Sequence, residues 1–171
     1  MAEKIHFEEG LFGNEFMLEG FATANVEEFI PANKDDDYWK GVKSDPPTHI
    51  STDQDWQVNL KWTQKGPAVD LMDDELRWRV EILMEKIGIG EYELPDDVRV
   101  ELVPFVKDRN HTYEVPMKVK ARKVKREDEG LYKLYVIIQL ISKEIPSGAP
   151  DNRHPVVGWV EFSKPIHFFE D

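Results

Sequence analysis

Trp56-Gln57-Val58-Asn59-Leu60-Lys61-Trp62 decides the fold. Trp56, Val58, Leu60 and Trp62 alternate with Gln57, Asn59 and Lys61. Successive side chains of a strand point to opposite faces, so this period of two describes a strand with one apolar and one polar face. Two indoles on one face carry a large apolar area into a core, at roughly 25 cal/mol for each Å² removed from water. The pattern returns in Leu76-Arg77-Trp78-Arg79-Val80-Glu81-Ile82, again with a tryptophan on the apolar side. Two such strands need a second apolar layer, and the flanking chain supplies it.

Val98-Arg99-Val100-Glu101-Leu102 alternates as a third strand, ended by Pro104. Tyr113, Val115, Met117 and Val119 alternate with Glu114, Pro116, Lys118 and Lys120. Proline has no N–H for a ladder, so this strand belongs at an edge. Tyr132, Leu134, Val136, Ile138 and Leu140 mark the most apolar strand, which predicts a central place. A strand from Val156 to Phe162 follows, with Val157 and Trp159 read as core residues, and then Ile166-His167-Phe168-Phe169. Gln64-Lys65-Gly66-Pro67, Gly88 to Asp97, Arg126 to Gly130 and Pro146 to Asn152 are turn or loop signals. About seven strands at intervals near ten residues predict an all-β fold, an antiparallel β-sandwich rather than a doubly wound sheet. The order of strands resembles an immunoglobulin-like sandwich in architecture, without the inter-sheet cysteine pair of antibody domains.

The first part of the chain reads differently. Residues 1–45 are expected to form an arm that packs on the body or on a neighbour, and residues 46–171 the sandwich. Within the arm, Phe16 and Leu18 point to a short strand near residues 15–22. Asn25, with Glu28 three residues on, suggests a brief helix from Asn25 to Ile30 that Pro31 would end. Lys34-Asp35-Asp36-Asp37, Gly41 and Ser44-Asp45-Pro46-Pro47 read as a connection.

The chain has 171 residues, enough for one domain with a sizeable core. A formal charge of -12 speaks against nonspecific attraction to nucleic acid or an anionic membrane, and favours a basic partner. With no cysteine, disulfides and thiolate metal sites are excluded. No apolar run reaches signal-peptide length or the roughly 20 residues of a membrane helix, so a cytoplasmic location is expected.

No nucleophile, phosphate-loop or zinc-protease motif is present. His6, His49, His111, His154 and His167 lie far apart, and no pair has ligand spacing. Asp35-Asp36-Asp37, Asp53 with Asp55, Asp73-Asp74 and Asp96-Asp97 read first as turn chemistry, with calcium in sandwich end loops as the sharper alternative. No cofactor is expected. Lys118, Lys120 and Arg122, which would share one strand face, begin the only basic concentration; they would protect an edge or meet acidic surface on a second copy. Tyr38, Trp39, Trp159, Phe168 and Phe169 are the aromatic candidates for contact, with core as the competing reading for Trp159. Together these readings predict a non-enzymatic protein-interaction or structural module of a larger assembly, bound to a protein partner or to itself. The alternative is a ligand-binding sandwich that takes calcium or carbohydrate at its end loops.

Overall fold

The computed structural model describes residues 3–8, 15–29, 49–88, 90–142 and 156–169. Their strands are β1 (Glu3–Lys4), β2 (His6–Phe7), β3 (Met17–Phe29), β4 (His49–Ser51), β5 (Asp55–Lys65) and β6 (Arg77–Lys86), followed by β7 (Gly90–Tyr92). A one-turn helix, α1 (Asp96–Arg99), leads into β8 (Val100–Pro104) and β9 (Thr112–Val119). The chain closes with β10 (Gly130–Ile141), β11 (Val156–Glu161) and β12 (Ile166–Phe169). Short 3-10 turns occupy Pro67–Leu71 and Arg126–Asp128.

Two sheets result, and the fold is the antiparallel β-sandwich that the alternation predicts. The smaller sheet runs β1-β3-β5-β9. In the larger, β10 is central as expected. It pairs β6 from Tyr132 to Ile141 on one edge, while β12 and β11 share the other. β2 extends the sheet from β11, and β4 extends it from β12 as a parallel pair. Pro116 sits in β9, at the edge of the smaller sheet.

The inner faces meet in one core. Trp56, Val58, Leu60 and Trp62 of β5 lie against Trp78, Val80 and Ile82 of β6 and Leu134, Val136 and Ile138 of β10, all buried. One end is aromatic: Trp62 stacks on Tyr113 at 5.0 Å and meets Trp78 edge-on at 5.7 Å. The other end packs Trp56 and Tyr132 against Phe168, at 5.5 and 5.6 Å. Gly66 carries the turn after β5 with φ 110°, and a Cβ there would stand 2.2 Å from the Glu15 carbonyl oxygen. Only glycine fits both demands.

Local expectations change at Asn25 and at Trp159. The helix expected from Asn25 is instead the end of β3, whose ladder with β5 runs to the Phe29–Asp55 pair. A cap satisfies a few orphan amides of a short helix, whereas a ladder satisfies the backbone along the whole segment. Residues 3–8 and 17–29, within the stretch expected to pack on the body or on a neighbour, form strands in the two sheets: β1 pairs β3, β2 pairs β11, and β3 pairs β5. Trp159 does not enter the core. Ile138 pairs Gly158 but Gln139 pairs Val156, so Val157 is an extra, bulged residue. The bulge breaks the alternation that grouped Val157 with Trp159.

Candidate interaction surface on the larger sheet

Tyr38 and Trp39 lie outside the described residues. Lys118 is exposed on the outer face of β9, opposite Gln57. Lys120 and Arg122 do not continue a stripe with it, because β9 ends at Val119 and Arg122 takes φ 65°. Both meet carboxylates: Lys120 Nζ lies 2.8 Å from Asp55 Oδ2, and Arg122 Nε lies 2.9 Å from Asp53 Oδ1. Burial alone would raise the Asp55 carboxyl, but hydrogen bonds from Lys120 and from the Ala121 amide outweigh it and hold the group below its ordinary range. Lys123 similarly meets Asp97, and Arg99 meets Asp96. Three members of the basic run, with Arg99, thus answer two of the acidic pairs. Among the described residues, no group of three His, Asp or Glu is arranged to hold a metal.

Phe168, expected to be available for contact, is buried between Trp56 and Tyr132. Phe169, pointing the other way, is half-buried beside His167 with ring centroids 6.1 Å apart. Adjacent strand residues take opposite faces, so only one of the two could remain near solvent.

What the structure brings together is the outer face of the larger sheet. One cross-strand row runs His6, Trp159, Ile137, Glu81, Val100 through β2, β11, β10, β6 and β8. Four strand spacings make it about 19 Å long. Trp159 is 39% exposed, and His6 stacks on it at 5.7 Å and 24°. Gly158 makes this possible: a Cβ there would stand 2.6 Å from Phe7 Cδ1, so only a bare backbone lets β2 lie this close to β11.

Beside the aromatic end lies a fixed polar centre. Arg79 and Glu81 are 4% and 7% exposed although they sit on the polar side of β6. Arg79 Nη1 donates to Glu81 Oε2 at 2.5 Å and to Gln139 Oε1 at 3.0 Å. Arg99 Nε approaches Glu81 Oε1 at 3.3 Å but is out of line for a hydrogen bond. Its guanidinium also donates to Asp96 Oδ1 at 2.5 Å and reaches Glu93 Oε2 at 3.7 Å. Partly buried charges need such partners, because each has lost water.

Sequence reasoning named Trp159 among the contact candidates beside a core reading, and missed Arg79, Glu81 and Gln139. The outward placement of Arg79 and Glu81 was legible from their alternation with Trp78, Val80 and Ile82. Their burial was not, because it depends on Gln139 and Arg99 from distant segments. The arrangement offers an exposed aromatic contact on a face braced by a buried ionic network.

No protein-family model matches this chain, and no curated protein matches it. Among solved structures it is similar to the crystal structure of the C-terminal domain of Wzt, at 10% sequence identity and a TM-score of 0.52. The match covers 99% of this chain and 79% of that one. Among the described residues, no helix is long and apolar enough to cross a membrane. At that identity the likeness speaks to the fold alone: the chain is an antiparallel β-sandwich module.

Proposed function

We propose that this chain is a non-enzymatic interaction module, a structural or adaptor part of a larger assembly, that meets a protein partner through the outer face of its larger sheet. The supporting observation is Trp159, which lies 39% exposed toward one end of that face and flat against His6. Protein interfaces are enriched in aromatic and arginine anchors, and a few such groups carry most of the affinity. The buried Arg79–Glu81–Arg99 network holds the strands beneath this face still, so a partner meets a preorganised surface and loses less entropy on docking.

Trp159 also supports a second reading. A flat, accessible indole bordered by fixed polar groups suits the apolar face of a sugar ring, which makes carbohydrate the alternative ligand. The sheet face, rather than the end loops, would then be its site. Calcium gains no such support, since Asp53, Asp55, Asp96 and Asp97 each have a basic partner.

The test compares the full chain with its Trp159→Ala variant as bait in extracts of the source cells, and on a glycan panel. Removing an anchor of this kind is expected to weaken binding about 30-fold, near 2 kcal/mol. A protein retained by the native chain and lost by the variant supports the first reading. Glycan binding with the same dependence supports the second. Equal retention by both chains removes this face from recognition.

A further inference from the structure

The same outer face contains a groove of about 340 Å³ lined by Leu83, Glu85, Tyr92, Glu93, Arg99 and Tyr135. Its origin is a split in the sheet edge. β8 pairs β6 as far as Glu81, and β7 pairs it from Met84 onward. Only Ile82 and Leu83 lie between these points on β6, while residues 93–99, including α1, loop out between β7 and β8. Neither Ile82 nor Leu83 has a ladder partner on this edge among the described residues. An antiparallel strand directs both backbone groups of every second residue to the same side, so one of the two presents a carbonyl to the groove.

The walls favour a cation on an apolar stem. Leu83 is 37% exposed beside the Tyr135 ring, its cross-strand partner. The Tyr135 hydroxyl donates to Glu85 Oε2 at 3.3 Å, which brings carboxylate and ring to one wall. Glu93 stands exposed on another. Arg99 is the opposing charge, but Glu81, Asp96 and Glu93 surround its guanidinium. Lys133, across from Glu85, turns its Nζ to Glu161 at 3.3 Å. Arg79, Arg99 and Lys133 give +3, against -5 from Glu81, Glu85, Glu93, Asp96 and Glu161, which leaves -2 around the groove.

We infer that this groove receives a lysine or arginine side chain of a basic partner protein. The carboxylates of Glu85 and Glu93 and the floor carbonyl accept from the cationic head, Tyr135 offers its ring face, and Leu83 covers the methylene stem. The whole chain's charge of -12 steers a basic partner toward it. This inference rests on the reading of the outer face as a protein-binding surface and names the chemistry of its partner.

n-Butylguanidinium and n-butylammonium test it on the full chain, with n-butanol as the neutral control, by amide NMR shifts at low salt. Both cations are expected to perturb Leu83, Glu85, Glu93 and Tyr135, and n-butanol to do so weakly. The Glu85→Gln/Glu93→Gln double variant, changed only at exposed groups, should bind the cations at least about fivefold more weakly. Shifts spread over the acidic surface, equal effects of n-butanol, or unchanged affinity in the double variant would overturn the inference. Its failure is separable from that of the broader reading. If Trp159→Ala loses a protein partner while the groove takes no cation, the surface stands and the groove assignment falls.

Discussion

At the scale of single residues, Tyr132 shows how burial sets a pH limit. Its ring is buried between Phe168 and Tyr92, and its hydroxyl donates to the Asp128 carbonyl oxygen. Desolvation, reinforced by the Asp128 charge, pushes the phenol up to about 12. A group whose folded pKa is raised contributes stability that is full below its ordinary value of 10.0 and declines as pH rises toward 12. Denaturant melts between pH 9 and about 12 should therefore show stability falling, with a shallower fall in Tyr132→Phe. An identical slope in both proteins would remove Tyr132 as a source. Gly66→Ala belongs to the same scale. Its Cβ would meet the Glu15 carbonyl on a backbone at φ 110°, so a loss of at least about 1 kcal/mol is expected from thermal or chemical melts.

At the scale of elements, β6 joins a hydrophobic face to an ionic one. Trp78, Val80 and Ile82 close the core, while Arg79 and Glu81 are held on the opposite side. Glu81→Ala leaves Arg79 buried beside the neutral Gln139 without its carboxylate, and breaking such a pair typically costs about 3–5 kcal/mol. Arg79→Met should cost less, because Arg99 still lies 3.3 Å from Glu81 and the thioether side chain fills the space. Chemical denaturation of the two variants measures the difference. Equal costs would mean that Arg99 contributes nothing to holding Glu81. On β11, regular pairing with Ile137 turns the Trp159 indole outward, and the bare backbone of Gly158 lets β2 close in and bring His6 onto it.

For the whole molecule, the N-terminal strands stand inside the architecture. β3 lies between β1 and β5, so deletion of residues 1–45 would make β5 an edge and remove the core residues Ile5 and Phe16. The truncated chain is expected to lose amide-shift dispersion and cooperative unfolding, and to aggregate through the opened edge. A dispersed spectrum with a sharp transition would instead make residues 1–45 a dispensable arm. The basic run behaves differently. Lys120 and Arg122 are exposed partners of Asp55 and Asp53, so replacing both with Gln should change stability by no more than about 1 kcal/mol, less at high salt.

The sequence by itself determined the strands of the two-layer core, because inward residues recur every second position and that period is local. It also determined the edge place of β9, through a proline that cannot join a ladder, and the central place of β10, through its apolar content. The tertiary structure decided which outward residues are buried, which aromatic ring faces solvent and which charges meet. Arg79 depends on Gln139, 60 positions away, and Lys120 on Asp55, 65 positions away. The inward place of Val157, two positions before the outward Trp159, follows from a one-residue register shift between two strands. Asn25 carried a helix-start signal, yet pairing with β5 extended the strand instead. Local periodicity reports which face a residue takes; contact between distant segments decides what covers that face.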